Sequence, residues 1–162
     1  MAKNIKIEHI HRANIFINDK DLIGTIEEVS GLALKFKKKD HSTLGMFGIR
    51  KLKTGLEALE LTLKKVSINT EEIDSSEEIK GKIVGDIITK ESGKSVVSKA
   101  VIYFRGESAE EVFGTAKAME WSGQELKLDL HAVKFVVAGE TLLEIDIDND
   151  IYEKNGKDMR TI

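Results

Sequence analysis

The chain has 162 residues, a length that suits a single domain. It contains no cysteine, which excludes disulfides, thiolate zinc sites, iron–sulfur clusters and cysteine nucleophiles. Although 33% of its residues are charged, the net charge of −3 is not that of a nucleic-acid binder.

Proline is absent too, so nothing in the chain forces a strand to stop or removes a backbone donor. Residues 1–11 read as an N-terminal arm. They lack the apolar segment of a signal peptide, and no run of about 18 apolar residues exists to cross a membrane. From Ala13 the pattern turns β, with Ile15 and Ile17 alternating and Asn18-Asp19-Lys20-Asp21 as a turn. A second strand follows over 22–29. Leu32, Leu34 and Phe36 then recur at period two, with Lys35 and Lys37 on the outer face.

Residues 41–55 break this regularity. Gly45, Gly48 and Gly55 argue for a long loop, yet Leu44, Met46, Phe47, Ile49 and Leu52 lie among them. An apolar loop must cover those side chains, either by folding over its own core or by inserting into a neighbouring subunit. Over 56–66, Leu59, Leu61 and Leu63 alternate with polar residues, and Thr62 and Val66 tip the reading to strand over helix. Residues 70–80 read as helix. Thr70 or Asn69 caps it, Glu71 and Glu72 suit its positive end, and Gly81 stops it.

Residues 82–89 and 96–105 form a predicted hairpin about the loop 90–95. Gly106 breaks or bends it. Residues 107–121 are ambiguous, since Ser108-Ala109-Glu110-Glu111 suits the opening of a short helix. Residues 125–137 form a long strand whose apolar set shifts from Leu126, Leu128 and Leu130 to Val133, Phe135 and Val137. A one-residue change of phase predicts a β-bulge near His131 and Ala132. A turn at Ala138-Gly139-Glu140, another strand and a short closing segment complete the chain. The expected class is α+β, mainly β: a sandwich or barrel-like domain of about eight strands with one or two helices.

Motifs of chemistry fail one by one. Gly93-Lys94-Ser95 resembles the end of a P-loop, but Ile88 stands where that motif needs glycine, and a strand follows instead of a helix. Asp146, Asp148 and Asp150 have the opening spacing of a calcium loop. Ile151 and Lys157 replace its glycine and glutamate, so the three read as one acidic face of a strand. His9 and His11 share a strand face without an evident third ligand. Trp121 reads as a core or interface anchor. No cofactor is expected. Charge is more telling: Lys35, Lys37, Lys38, Lys39, Arg50, Lys51 and Lys53 surround the apolar loop against Asp40 alone. Glu140, Glu144, Asp146, Asp148, Asp150 and Glu153 gather elsewhere, a polarity that suits head-to-tail contact between copies.

Gly139-Glu140-Thr141-Leu142-Leu143-Glu144-Ile145-Asp146, then Asn149, Glu153-Lys154, Asn155-Gly156 and Asp158, resembles the C-terminus of major tail tube proteins of contractile-tailed bacteriophages. Ala13-Asn14-Ile15-Phe16-Ile17-Asn18 is similar to their opening strand. The resemblance implies a β-sandwich protomer with one flanking helix. Six copies would form a ring whose inner strands close a barrel, and rings would stack into the conduit for DNA ejection. It implies an inter-ring loop carrying Leu44, Met46, Phe47, Ile49 and Arg50. Glu144, Asp146 and Asp148 become a candidate lumen or interface face. The implied partners are further copies of the chain and the tail sheath, tape measure and baseplate proteins, with DNA passing through unbound and no membrane involved. The implied location is the virion tail, assembled in the host cytoplasm. Two other readings stand beside it: the tube of a type VI secretion system or headless contractile injection particle, and a small β-barrel binding domain or enzyme.

Overall fold

A computed structural model describes residues 7–18, 20, 21, 26–45, 47–65, 78–91 and 93–160. All regular structure among them is β. In chain order the strands are β1 (Ile7–Ile17), β2 (Lys20–Asp21), β3 (Ile26–Ser30), β4 (Phe36–His41), β5 (Arg50–Leu56), β6 (Leu59–Lys65) and β7 (Ile79–Glu91). There follow β8 (Lys94–Val112), β9 (Thr115–Lys117), β10 (Glu120–Ser122), β11 (Gln124–Val137), β12 (Glu140–Asp146), β13 (Ile151–Lys154) and β14 (Lys157–Asp158). One sheet runs β14-β13-β12-β11-β8-β7-β1-β2, and β6, carrying β3, branches from β11. Two ribbons stand apart from it, β4-β5 and β9-β10.

The branch follows from the bulge in β11. On one side β11 pairs with β8 from Glu125 to Val137, with a slip between Lys127 and Leu128, where β8 has the extra residue, and another between Leu130 and Ala132, where β11 has it. On the other, residues 124–130 pair with β6 and residues 132–137 with β12. The second slip moves the inward set from Leu126, Leu128 and Leu130 to Val133, as the change of phase predicts. Gly106 faces the slip and takes no side chain: a Cβ there would run into Asp129 O and Leu130 Cα. It bends the ladder without breaking it.

The core gathers Leu59, Leu61 and Leu63 of β6, the three β11 leucines, Phe104 of β8, Ile79 of β7, and Ile15 and Ile17 of β1. Strands β6 and β1 lie four places apart in the sheet, so the sheet curls until its members share one core. It is not closed by hydrogen bonds among the described residues. Asn18 fixes one corner with φ +49: its N donates to Lys80 O (2.8 Å), and Lys80 N donates to its Oδ1 (3.2 Å). The turn Ala138-Gly139 has positive φ at both residues, and so has Asn155-Gly156, the geometry that matches strand twist in two-residue hairpins.

Several expectations are corrected. The helix expected over 70–80 lies mostly outside the described residues, and Ile79 and Lys80 already belong to β7. Residues 107–121 are not helical. β8 continues to Val112 because β11 offers hydrogen-bonding partners as far as Glu125↔Val112, which overrides the weak helical preference of Ala and Glu. Strand β1 begins at Ile7, inside the stretch read as an arm. Leu32, Ala33 and Leu34 are not a strand: Gly31 turns the chain at φ +86, and they lie as irregular chain along an apolar cleft beside Leu59, Val133 and Leu143. The loop 41–55 is largely a hairpin, with Gly55 tolerated opposite Lys37 just before a register slip.

Gly81 sits directly across from Phe104, whose ring occupies the space a Cβ would need. Gly81→Ala is expected to lower stability by about 1–3 kcal/mol through overpacking. Phe104→Ala, which empties the same site, is expected to cost about 3–5 kcal/mol. Urea midpoints of the two variants check the order.

Candidate functional site

Three surfaces carry the residues that the sequence marks. The first is the β4-β5 hairpin. Its base is tied by Glu57 N donating to Lys35 O at 2.8 Å, and Lys53 Nζ sits 4.3 Å from the centre of the Phe36 ring. Among the described residues, neither strand hydrogen-bonds to the main sheet beyond the base. The alternating lysines Lys37, Lys39, Lys51 and Lys53, with Lys38 and Arg50, are all exposed. At the tip Leu44 and Phe47 are fully in solvent, at 106% and 108% exposure, and Ile49 is 68% exposed. Met46 lies outside the described residues. The side chains of this tip do not fold back on their own core.

The second surface is the turn after β12. The three aspartates do not share a strand face, because β12 ends at Asp146. Asp146 accepts from Asn149 N (3.2 Å) and Asn149 Nδ2 (2.7 Å), which starts the turn 147–150. Arg105 Nη2 lies 3.4 Å from both Asp146 Oδ1 and Asp148 Oδ2. Glu78 meets Arg105 Nε at 2.9 Å as an ion pair, off the angle of a hydrogen bond. Asp146 is held below the usual carboxylate range, first by Asn149 and then by its remaining neighbours, Arg105 among them. Asp150 and Asp158 are both taken by Arg160, at 3.1 and 2.7 Å. Glu144 lies on β12 in register between Lys134 and Glu153. A groove of about 530 Å³ runs between this turn and the hairpin base, lined by Phe36, Gly55, Ile147, Tyr152 and Met159. Of its charged lining, Asp146, Asp150 and Arg160 are committed to the pairs just described, and Lys53 lies over the Phe36 ring.

The third surface, which sequence reasoning missed, is the β9-β10 ribbon. Gly114 (φ +90) and Gly123 (φ +83) flank it, and Trp121 Nε1 donates to Phe113 O at 2.6 Å. A Cβ on Gly114 would meet Ser122 O and Gln124 N, so the ribbon is seated closely at its root. Its large side chains point outward: Phe113 is 60% exposed, Trp121 50% and Met119 106%. Met119 turns the tip at φ +64, which costs a residue with a Cβ about 1–2 kcal/mol. The two flanking glycines were the available signal. Trp121 is an exposed platform rather than a core residue.

The strand edges complete the inventory. Among the described residues, β2 covers β1 only at Phe16 and Ile17, and residues 7–15 have no strand on that edge, a length of about 30 Å. Among the described residues, the sheet is thus open and curled, one edge is uncovered and two projections carry exposed apolar side chains. The sequence profile of the phage tail tube protein FII family matches residues 7–161, and the chain belongs to that family. The fold is similar to that of the sheath/tube terminator of PVC, an extracellular contractile injection system, seen by cryo-EM in the extended state. The TM-score is 0.52 at 13% identity, covering 78% of this chain and 94% of that one. No curated protein matches the chain in sequence. The protein is thus a structural subunit of the phage tail tube type.

The Asp158–Arg160 pair carries a pH signature. The Arg160 guanidinium lowers the Asp158 carboxyl to about 2. A folded-state value depressed below the ordinary one, 3.8, means the contribution is complete above that value and is lost as pH falls toward about 2. Carboxyl NMR titration is expected to place Asp158 near the lower figure, and Arg160→Ala to return it toward the ordinary one.

Proposed function

We propose that the protein is the tube subunit of a contractile phage tail, stacking as hexameric rings into the conduit through which DNA is ejected. Family membership supports the tube. The observation that carries stacking is the hairpin tip, where Leu44 and Phe47 stand wholly in water. Burying each in a neighbouring ring yields about 1.5–3 kcal/mol, repeated at every contact of a stacked ring. Ile49 and Arg50 extend that contact. Within a ring, the free edge of β1 offers a neighbour's strand a ladder to continue, which removes the hazard of an open edge. The whole chain acts as one tube domain. It is assembled in the host cytoplasm and resides in the virion tail, with sheath, tape measure and baseplate proteins as partners.

The acidic candidates divide. Asp146 and Asp148 are bound to Arg105 and act as a brace for the turn. Glu144 has no such cation pair among the described residues and is the one assigned to the lumen, where negative charge keeps DNA phosphates from sticking. The likeness to a component of an extracellular contractile injection system supports a second reading, a tube in a headless particle. Electron micrographs of intact particles, with or without a DNA-filled head, separate the two.

Phe47→Asp is expected to leave the far-ultraviolet circular dichroism of the monomer unchanged while abolishing tubes in negative-stain micrographs. Normal tubes from this variant would remove the hairpin from stacking. Glu144→Gln is expected to slow DNA ejection from assembled particles, measured by dye release; an unchanged rate takes Glu144 out of the lumen.

A further inference from the structure

The hairpin needs a receiving surface, and the acidic turn is poorly placed to be it. That turn flanks the base of the same hairpin across the groove, and its aspartates are occupied by Arg105 and Arg160. The β9-β10 ribbon is placed otherwise. The β4-β5 hairpin leads into β6 at Leu59, which pairs with Leu130. The ribbon leads into β11 at Gln124, which pairs with Lys65. The two projections therefore spring from opposite ends of one strand pair, about 20 Å apart at the usual rise per residue. A subunit that repeats head to tail needs its donor and acceptor at opposite ends.

Chemistry matches position. The hairpin tip is apolar and flanked by cations, Lys38, Lys39 and Lys51 among them, with Asp40 as the opposing charge. The ribbon is apolar, through Phe113, Met119 and Trp121, and carries Glu120, with Glu110 and Glu111 on the adjoining end of β8 and Glu125 on β11, opposed by Lys117, Lys127 and Lys64; Glu107 lies farther along β8, opposite Asp129. Glu110 is paired with Lys127 and Glu107 lies near His131, whereas Glu111 and Glu120 form no ion pair among the described residues. Met119 keeps a strained backbone at the tip with its side chain entirely in solvent, on a ribbon braced at its root by Trp121 and Gly114. Such a surface is built to meet an apolar, cationic partner.

We infer that the β9-β10 ribbon is the acceptor for the β4-β5 hairpin of the next copy, with Phe47 and Leu44 covering Met119 and Trp121 and the hairpin lysines facing Glu111 and Glu120. This rests on the stacking reading above and names its unassigned half.

The absence of cysteine makes the test direct, because each introduced thiol is the sole one in its chain. Separately tagged Phe47→Cys and Met119→Cys proteins are mixed with the unmodified chain, whose intact contacts sustain tube assembly, and treated with a short bismaleimide. Both positions are fully exposed, so neither change disturbs the core. The expected product is a covalent dimer carrying both tags, at least about tenfold above that from Phe47→Cys mixed with Val96→Cys, an exposed residue of β8 outside both surfaces. In a second arm, Glu111→Lys with Glu120→Lys is expected to suppress tubes, and Lys39→Glu with Lys51→Glu in the same chain to restore them. Tubes that form while Phe47→Cys couples equally to Val96→Cys, or a charge reversal without effect, overturn the ribbon as acceptor. If Phe47→Asp still abolishes tubes, the stacking hairpin survives that result. Absence of tubes from the unmodified chain overturns both.

Discussion

The change of phase in β11 is the constraint on which the rest of the molecule depends. A strand has two edges, and one of them is used by β8 from Glu125 to Val137. The slip between Leu130 and Ala132 divides the other edge between two partners, β6 before it and β12 after it. Without the extra residue, Val133 would leave the core face and the sequence pattern on one half of the strand would oppose burial. With it, both halves bury their apolar sets, and the sheet can branch. Gly106 belongs to the same device, because only a residue without a side chain lets β8 pass the bulge so closely. The branch in turn sets where the two free ribbons emerge. One leaves beside Leu59 and the other beside Gln124, so the placement of both projections is tied to the branch at the slip.

What the sequence made legible is what period two and turn chemistry encode. The bulge, the β7-β8 hairpin, the β6 alternation and the turn at Ala138-Gly139 all involve residues whose local preference agrees with their long-range pairing. Where the two disagree, sequence reasoning failed. Glu107 to Val112 have the composition of a helix start, but a ladder supplied by β11 decides their conformation. Leu32 and Leu34 alternate like a strand, yet Gly31 turns them into irregular chain beside an apolar cleft. The three aspartates show the same limit in a site: their spacing is regular, but Asn149 caps Asp146 and ends the strand between them. The ribbon was legible only through Gly114 and Gly123, whose meaning depends on a neighbour's position that composition cannot give.

An exposed edge and two exposed apolar tips would be faults in a monomer, inviting pairing with anything apolar. The placement of charge limits that promiscuity. The hairpin's strands carry lysine in alternation, so two hairpins repel each other, while the glutamates near β10 favour the opposite end of a second molecule. Like-to-like contact is thereby disfavoured and head-to-tail contact favoured, which is the condition for open-ended growth instead of closure into a dimer. In the proposed stacking the apolar side chains would supply most of the association energy, and the charges would choose its direction. Screening by salt weakens the choice more than the attraction, since exposed charges lose their reach within about 8–10 Å at ordinary ionic strength while apolar burial does not. Assembly at high salt therefore loses polarity before it loses strength. A tube subunit has more to fear from misdirected contacts than from weak ones, because one reversed copy stops the filament.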